Sequence, residues 1–200
     1  MKQFTSYKKF IAMSAILSLA GILRFYKLGI NPPSLDWDET SLAYNAWALS
    51  ETGHDEFGNS WPLSIRSFGD YKPPLYTYLL IPSLRIFGKT EFAVRFPSAL
   101  AGTLTVLVTF YLAKEVIDES RVLAPFVASF LMAISPWHLQ FSRIAFEANL
   151  GLFFYILGVW LLLRWFTHRS SWLLFSSSLA GGAALMSYHS TKIVLPLLLI

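Results

Sequence analysis

Long apolar stretches alternate with short polar ones along this chain. A helix that crosses a bilayer needs about 20 mostly apolar residues, because the hydrocarbon core is about 30 Å thick and each residue rises about 1.5 Å. Five stretches meet that length and are predicted spans, at roughly 10–30, 92–113, 122–141, 148–166 and 172–190. A sixth apolar run, Ile193 to Ile200, reads as the start of another span. Residues 1–200 are therefore expected to be the N-terminal part of a longer transmembrane domain.

The first span follows Lys8 and Lys9, and Ser18-Leu19-Ala20 resembles a signal-peptide cleavage site. The apolar character continues through Ile22, Leu23, Phe25 and Leu28, which favours an uncleaved anchor. With alternating spans, Lys2, Lys8, Lys9, Lys114, Arg121, Arg164 and Arg169 all fall on one side, which the distribution of Lys and Arg assigns to the cytoplasm. The 31–91 loop, the turn around Arg143 and Glu147, and the "SYHSTK" turn then lie outside it.

Within that long loop two further helices are expected to lie against the membrane. Residues 74–88, "PLYTYLLIPSLRIFG", apolar but short and broken by Pro82 and Arg85, suit an interfacial helix. Earlier, "NPPSLDWDETSLAYNAWALSETG" places three carboxylates, Asp36, Asp38 and Glu39, within four residues. Pro32-Pro33 ends the preceding helix, and Leu42, Ala43, Ala46, Trp47 and Leu49 mark one side of the next. Asp36 or Asp38 is the expected N-cap, with Glu39 in the first turn. Local pattern leaves two readings open: solvated caps of a surface helix, or a carboxylate held ionised at a helix N-terminus and poised as a base.

Composition sharpens the class. Hydrophobic residues make up 54% and charged residues only 14%, with mean hydropathy +0.50, against about 25% charged in ordinary soluble domains. An all-α integral membrane protein is indicated. The net charge of +4 is scattered between apolar runs and forms no nucleic-acid motif, so that partner is set aside. The absence of cysteine excludes disulfides and thiolate metal sites.

Charged groups gather at the outer face. "FGDYKPPLYTYL" supplies Asp70 and Lys72, "GKTEFAVRFPSALAGTL" supplies Arg95, and "SPWHLQFSRIAFEANLG" supplies His138, Arg143, Glu147 and Asn149. The interiors of the third, fourth and fifth spans carry no ionisable residue.

In this order and spacing, "DWDET", "YKPPLYTYL", "FAVRFPSALAGTL" and "SPWHLQFSRIAFEANL" resemble the GT-C membrane glycosyltransferases, specifically the dolichyl-phosphate-mannose protein mannosyltransferase and aminoarabinose transferase superfamily. The resemblance runs from about Leu28 to about Lys192. It implies a multi-span helical bundle with juxtamembrane helices in the first extracytoplasmic loop. It also implies transfer of a hexose or pentose from a polyprenyl-phosphate carrier in the membrane to an extracytoplasmic protein, lipid or glycan acceptor, with inversion.

On that resemblance Asp38 is the candidate base and Glu39 orients the site. Lys72 is the candidate for the lipid phosphate, followed by Arg95 and Arg143, and Glu147 is a candidate second acidic residue. Lys72 and Arg95 also suit snorkelling, and Glu147 also suits an i,i+4 pair with Arg143. His138 and His189 read as interfacial residues. Ser41 and Tyr71 stand where the aminoarabinose branch has Arg and an acidic residue, so no metal or other cofactor is expected from this segment, although Asp70 keeps the question open. A transporter and a non-catalytic scaffold are the rival classes. The first expects charges or broken helices near mid-membrane, for which only Gly181-Gly182 speaks.

Overall fold

A computed structural model describes residues 6–197. Helix α1 (Ser6–Phe25) leads to α2 (Trp37–Thr52), then a two-stranded hairpin of β1 (Ile65–Ser67) and β2 (Asp70–Lys72), then α3 (Leu75–Phe87) and α4 (Glu91–Val116). Helices α5 (Ala124–Ile134), α6 (Pro136–Ser142), α7 (Glu147–His168), α8 (Ser171–Leu185) and α9 (Thr191–Leu197) follow. Among the described residues the fold is helical apart from the hairpin and an isolated bridge between His54 and Ser60.

Local signals explain the element boundaries. The Asp36 side chain accepts from the Glu39 amide at 2.7 Å while the Glu39 side chain accepts from the Asp36 amide at 3.2 Å, a capping box that fixes the start of α2. Gly53 ends it in the left-handed conformation at φ 74°. Thr90 caps α4 through the Ala93 amide. The hairpin turn consists of Phe68 and Gly69, both at positive φ (47° and 88°), which suits the right-handed twist of the paired strands.

Two described helices, α4 and α7, are long and apolar enough to cross a membrane. Helix α1 has 20 residues. The spans expected at 122–141 and 172–190 contain shorter helices, α5 of 11 residues and α8 of 15. The first is broken where Pro136 opens α6, since a proline withholds the N–H that would continue the ladder. The run beginning at Ile193 falls within α9, and residues 198–200 lie outside the described part.

Helix α4 is central, packing against α1, α3, α5, α6 and α7. It buries mostly small residues, among them Ala93, Ala99, Ala101, Gly102 and Thr105, which lets neighbouring backbones come close. Helices α4 and α7 run side by side in the same direction. Tyr111 stacks on Trp160 at 5.2 Å, and Arg164 approaches Glu115 at 3.9 Å near their C-terminal ends. Lys9, Lys114 and Arg121 line one cavity at that same end, so α1 runs antiparallel to α4. Helices α1, α5 and α8 carry large apolar side chains outward, including Ile22, Leu131, Trp172 and Leu179.

Candidate active site

The N-terminal ends of α2 and α7 and the last residue of β2 meet at the opposite end of α4. Lys72 Nζ donates to Asp38 Oδ1 at 2.6 Å and lies 3.5 Å from Glu147 Oε1. The Asp38 side chain is 43% exposed, whereas those of Lys72 and Glu147 are only 10% and 6% exposed. An accessible carboxylate thus stands beside an enclosed cation held from behind by a second carboxylate. Asp38 is in the first turn of α2 and Glu147 opens α7, so both sit where free backbone N–H groups favour negative charge.

Glu39 lies beneath this trio and is 2% exposed. Its carboxylate accepts from Arg95 Nε at 2.9 Å and Arg95 Nη2 at 3.0 Å, from the Ala145 amide at 2.8 Å and from the Asp36 amide. One side chain therefore joins α2, α4 and the α6–α7 connection, which carries Glu147. The Glu39 carboxylate ties the backbone of these three segments together.

Arg95 is fully buried. Besides gripping Glu39 it donates to the carbonyls of Leu28, Pro32 and Ser34, so the 28–34 segment is tied to α4. Both terminal nitrogens of Arg143 donate to carbonyls, those of Leu23, Arg24, Tyr26 and Asn31, where α1 ends and the loop begins. Burial, and then the Arg95 charge, pulls the Arg143 guanidinium below its ordinary value. The Arg95 bonds are buried or part-buried, whereas those of Arg143 Nη2 are exposed. Of the three cations expected to meet a lipid phosphate, the geometry presents Lys72 beside Asp38 and engages the two arginines with carbonyls of the 23–34 segment. The i,i+4 contact expected between Arg143 and Glu147 is replaced by the Lys72 contact.

A second buried pair carries a signal in the sequence, since Arg24 is an ionisable residue inside an apolar run. Its Nη1 donates to the Ala20 and Ala133 carbonyls, and its Nη2 lies 2.7 Å from His138 Nδ1. Arg24 is fully buried and His138 is 6% exposed. Because arginine can only donate, Nδ1 is the acceptor in that bond. His189 stays exposed, its Nε2 2.7 Å from the Tyr71 carbonyl, and so braces β2 from the α8–α9 turn. Asp70 is exposed and accepts from the Tyr71 amide. Among the described residues no three His, Asp or Glu side chains come together as metal ligands.

Residues 71–200 match the family model described as dolichyl-phosphate-mannose-protein mannosyltransferase. The chain belongs to that family. The matched region includes Lys72, Arg95, Arg143 and Glu147 and starts after Asp38 and Glu39. The chain is 26% identical over 175 residues to an uncharacterized protein of Aquifex aeolicus (strain VF5), covering 88% of this chain and 34% of that one. It is 34% identical over 93 residues to "Putative mannosyltransferase YkcB" of Bacillus subtilis (strain 168), covering 46% of this chain and 13% of that one. The chain thus spans about a third or less of the length of these two relatives.

Proposed function

We propose that this mannosyltransferase-family chain carries the acid–cation centre of a multi-span membrane glycosyltransferase. The enzyme moves a sugar from a polyprenyl-phosphate carrier to an extracytoplasmic acceptor with inversion. The observation that carries the reading is the convergence of Asp38, Lys72 and Glu147 from α2, β2 and α7.

Inversion is a single in-line displacement. The acceptor hydroxyl gives its proton to the Asp38 carboxylate as its oxygen bonds to the anomeric carbon. The bond from that carbon to the phosphate oxygen breaks on the opposite face, and its electron pair leaves with the phosphate. The Lys72 ammonium neutralises the charge that develops there, and a compact point charge tolerates varied phosphate geometry. Products are the glycosylated acceptor and the polyprenyl phosphate. Glu39 and Arg95 act one layer behind, by fixing the start of α2 against α4 and the 145 amide.

The proposed orientation places the N-terminus in the cytoplasm and the site outside. The basic groups Lys9, Lys114, Arg121 and Arg164 support it, being gathered at the end of α4 and α7 away from Asp38. Outward apolar side chains on α1, α5 and α8 support burial of those helices in lipid.

The test uses the full-length protein with a labelled polyprenyl-phosphate mannose. Asp38→Asn keeps the shape and removes the base, so transfer should fall about 10²–10⁴-fold while the lipid still binds. An unchanged rate would remove Asp38 from the chemistry.

A further inference from the structure

Two large aromatic side chains stand in the open beside the acid–cation trio. Trp37 is 74% exposed and Phe68 is 75% exposed, with ring centroids 6.2 Å apart and planes inclined at 40°. Burial is the ordinary fate of phenylalanine, and neither ring has it here. Phe68 also holds φ at 47°, a left-handed backbone conformation that is costly for a bulky residue. A side chain that is both unburied and strained does little for the packing of its own fold.

The rings sit on the same two elements as the reacting pair. Trp37 precedes Asp38 at the start of α2, and Phe68 forms the turn of the hairpin whose second strand ends in Lys72. Two contacts therefore cross one seam between α2 and the hairpin, Asp38 to Lys72 at 2.6 Å and Trp37 to Phe68. In-line displacement needs the anomeric carbon between the entering and leaving oxygens. A sugar cannot occupy that position while the base and the phosphate-binding ammonium touch. Entry of the donor therefore separates Lys72 Nζ from Asp38 Oδ1, by rotation of the lysine side chain or by movement at the seam that the two rings also cross.

We infer that Trp37 and Phe68 are the contact for the donor's sugar ring. They clasp the C–H-rich face of a lipid-linked pyranose while Lys72 takes its phosphate. An aromatic face carries the negative side of its quadrupole and attracts the weakly positive C–H groups on that face of the sugar. The inference rests on the glycosyl-transfer reading and adds to it the groups that recognise the transferred sugar. A bilayer interface would also receive such rings, and the test separates the two.

Full-length protein in lipid nanodiscs is titrated with polyprenyl-phosphate mannose, glucose and arabinose and with sugar-free polyprenyl phosphate. The wild type should bind at least one glycosylated lipid more tightly than the sugar-free one. Trp37→Ala and Phe68→Ala should each weaken that glycosylated lipid about tenfold and leave the sugar-free lipid within about twofold. Trp37→Phe should recover most of the loss, and melting temperatures should be unchanged because both side chains are exposed. Equal weakening of both lipids would assign the rings to the tail or the bilayer and overturn the clasp. No weakening of either lipid would overturn it too, as would a wild type that gains nothing from any sugar. A wild type that binds no polyprenyl phosphate at all overturns the transferase reading itself, and the clasp with it.

Discussion

Glu39 and Asp38 are neighbours in sequence in opposite settings, one buried and one accessible, and substitution should separate their proposed roles. Glu39 is buried and holds Arg95 by two parallel hydrogen bonds, so Glu39→Gln leaves a fully buried guanidinium without its counter-charge. Removing one partner of a buried pair costs about 3–5 kcal/mol, and this variant should unfold early in a thermal or denaturant melt in detergent. Asp38 is 43% exposed, and Lys72 keeps Glu147 as a second carboxylate partner when Asp38 is neutralised, so Asp38→Asn should melt closer to wild type than Glu39→Gln while losing transfer. If the two variants melted alike, the division of labour between base and brace would be wrong. The acidic cluster was visible in the sequence, and so was its helix-capping role. That Arg95 serves Glu39 was not, because its partner lies in a distant segment and nothing in α4 itself reveals it.

Helix α6 is seated by a single glycine. A Cβ built at Gly102 would collide with Oγ and Cβ of Ser142 and come within 3.1 Å of Arg24 Nε. Ser142 Oγ already donates to the His138 carbonyl, so it cannot turn aside without losing that bond. Gly102→Ala should therefore push α6 off α4 at a cost of about 1–3 kcal/mol, seen as a lower melting temperature. The α6–α7 connection carries the Ala145 amide that Glu39 accepts, so transfer activity should fall as well. Gly182→Ala is the matched control, since a Cβ there meets nothing within 4 Å and alanine is the better helix former. The elements differ in how far sequence disclosed them. Helices α2, α3 and α4 announce themselves through Asp36, Pro74 and Thr90 ahead of periodic apolar residues. The hairpin does not, because strands of three residues joined by Phe-Gly carry neither a readable alternation nor the usual Asn-Gly turn. The break between α5 and α6 was written in Pro136 and hidden by the apolar run around it.

At the scale of the molecule, the charged groups sort to two ends of the helices and leave the middle apolar. Alternation of spans predicts Lys9, Lys114 and Arg121 on one side, and they do line one cavity, although they come from separate parts of the chain. Asp38, Lys72 and Glu147 meet at the other end. The shortness of α5 and α8 does not disturb this sorting, because α4 and α7 run the full length and are parallel. Which end faces the cytoplasm is measured with single cysteines, because residues 1–200 contain none and any cysteine elsewhere in the full-length protein is first replaced by serine. Ser64 lies in the exposed segment before β1 on the site side, and Glu119 lies in the exposed turn after α4 at the basic end. In intact cells a membrane-impermeant maleimide should label Ser64→Cys and spare Glu119→Cys, and both should react once the membrane is opened. Labelling of Glu119→Cys alone would invert the protein. It would put Asp38 on the cytoplasmic face, where an extracytoplasmic acceptor could not reach the base.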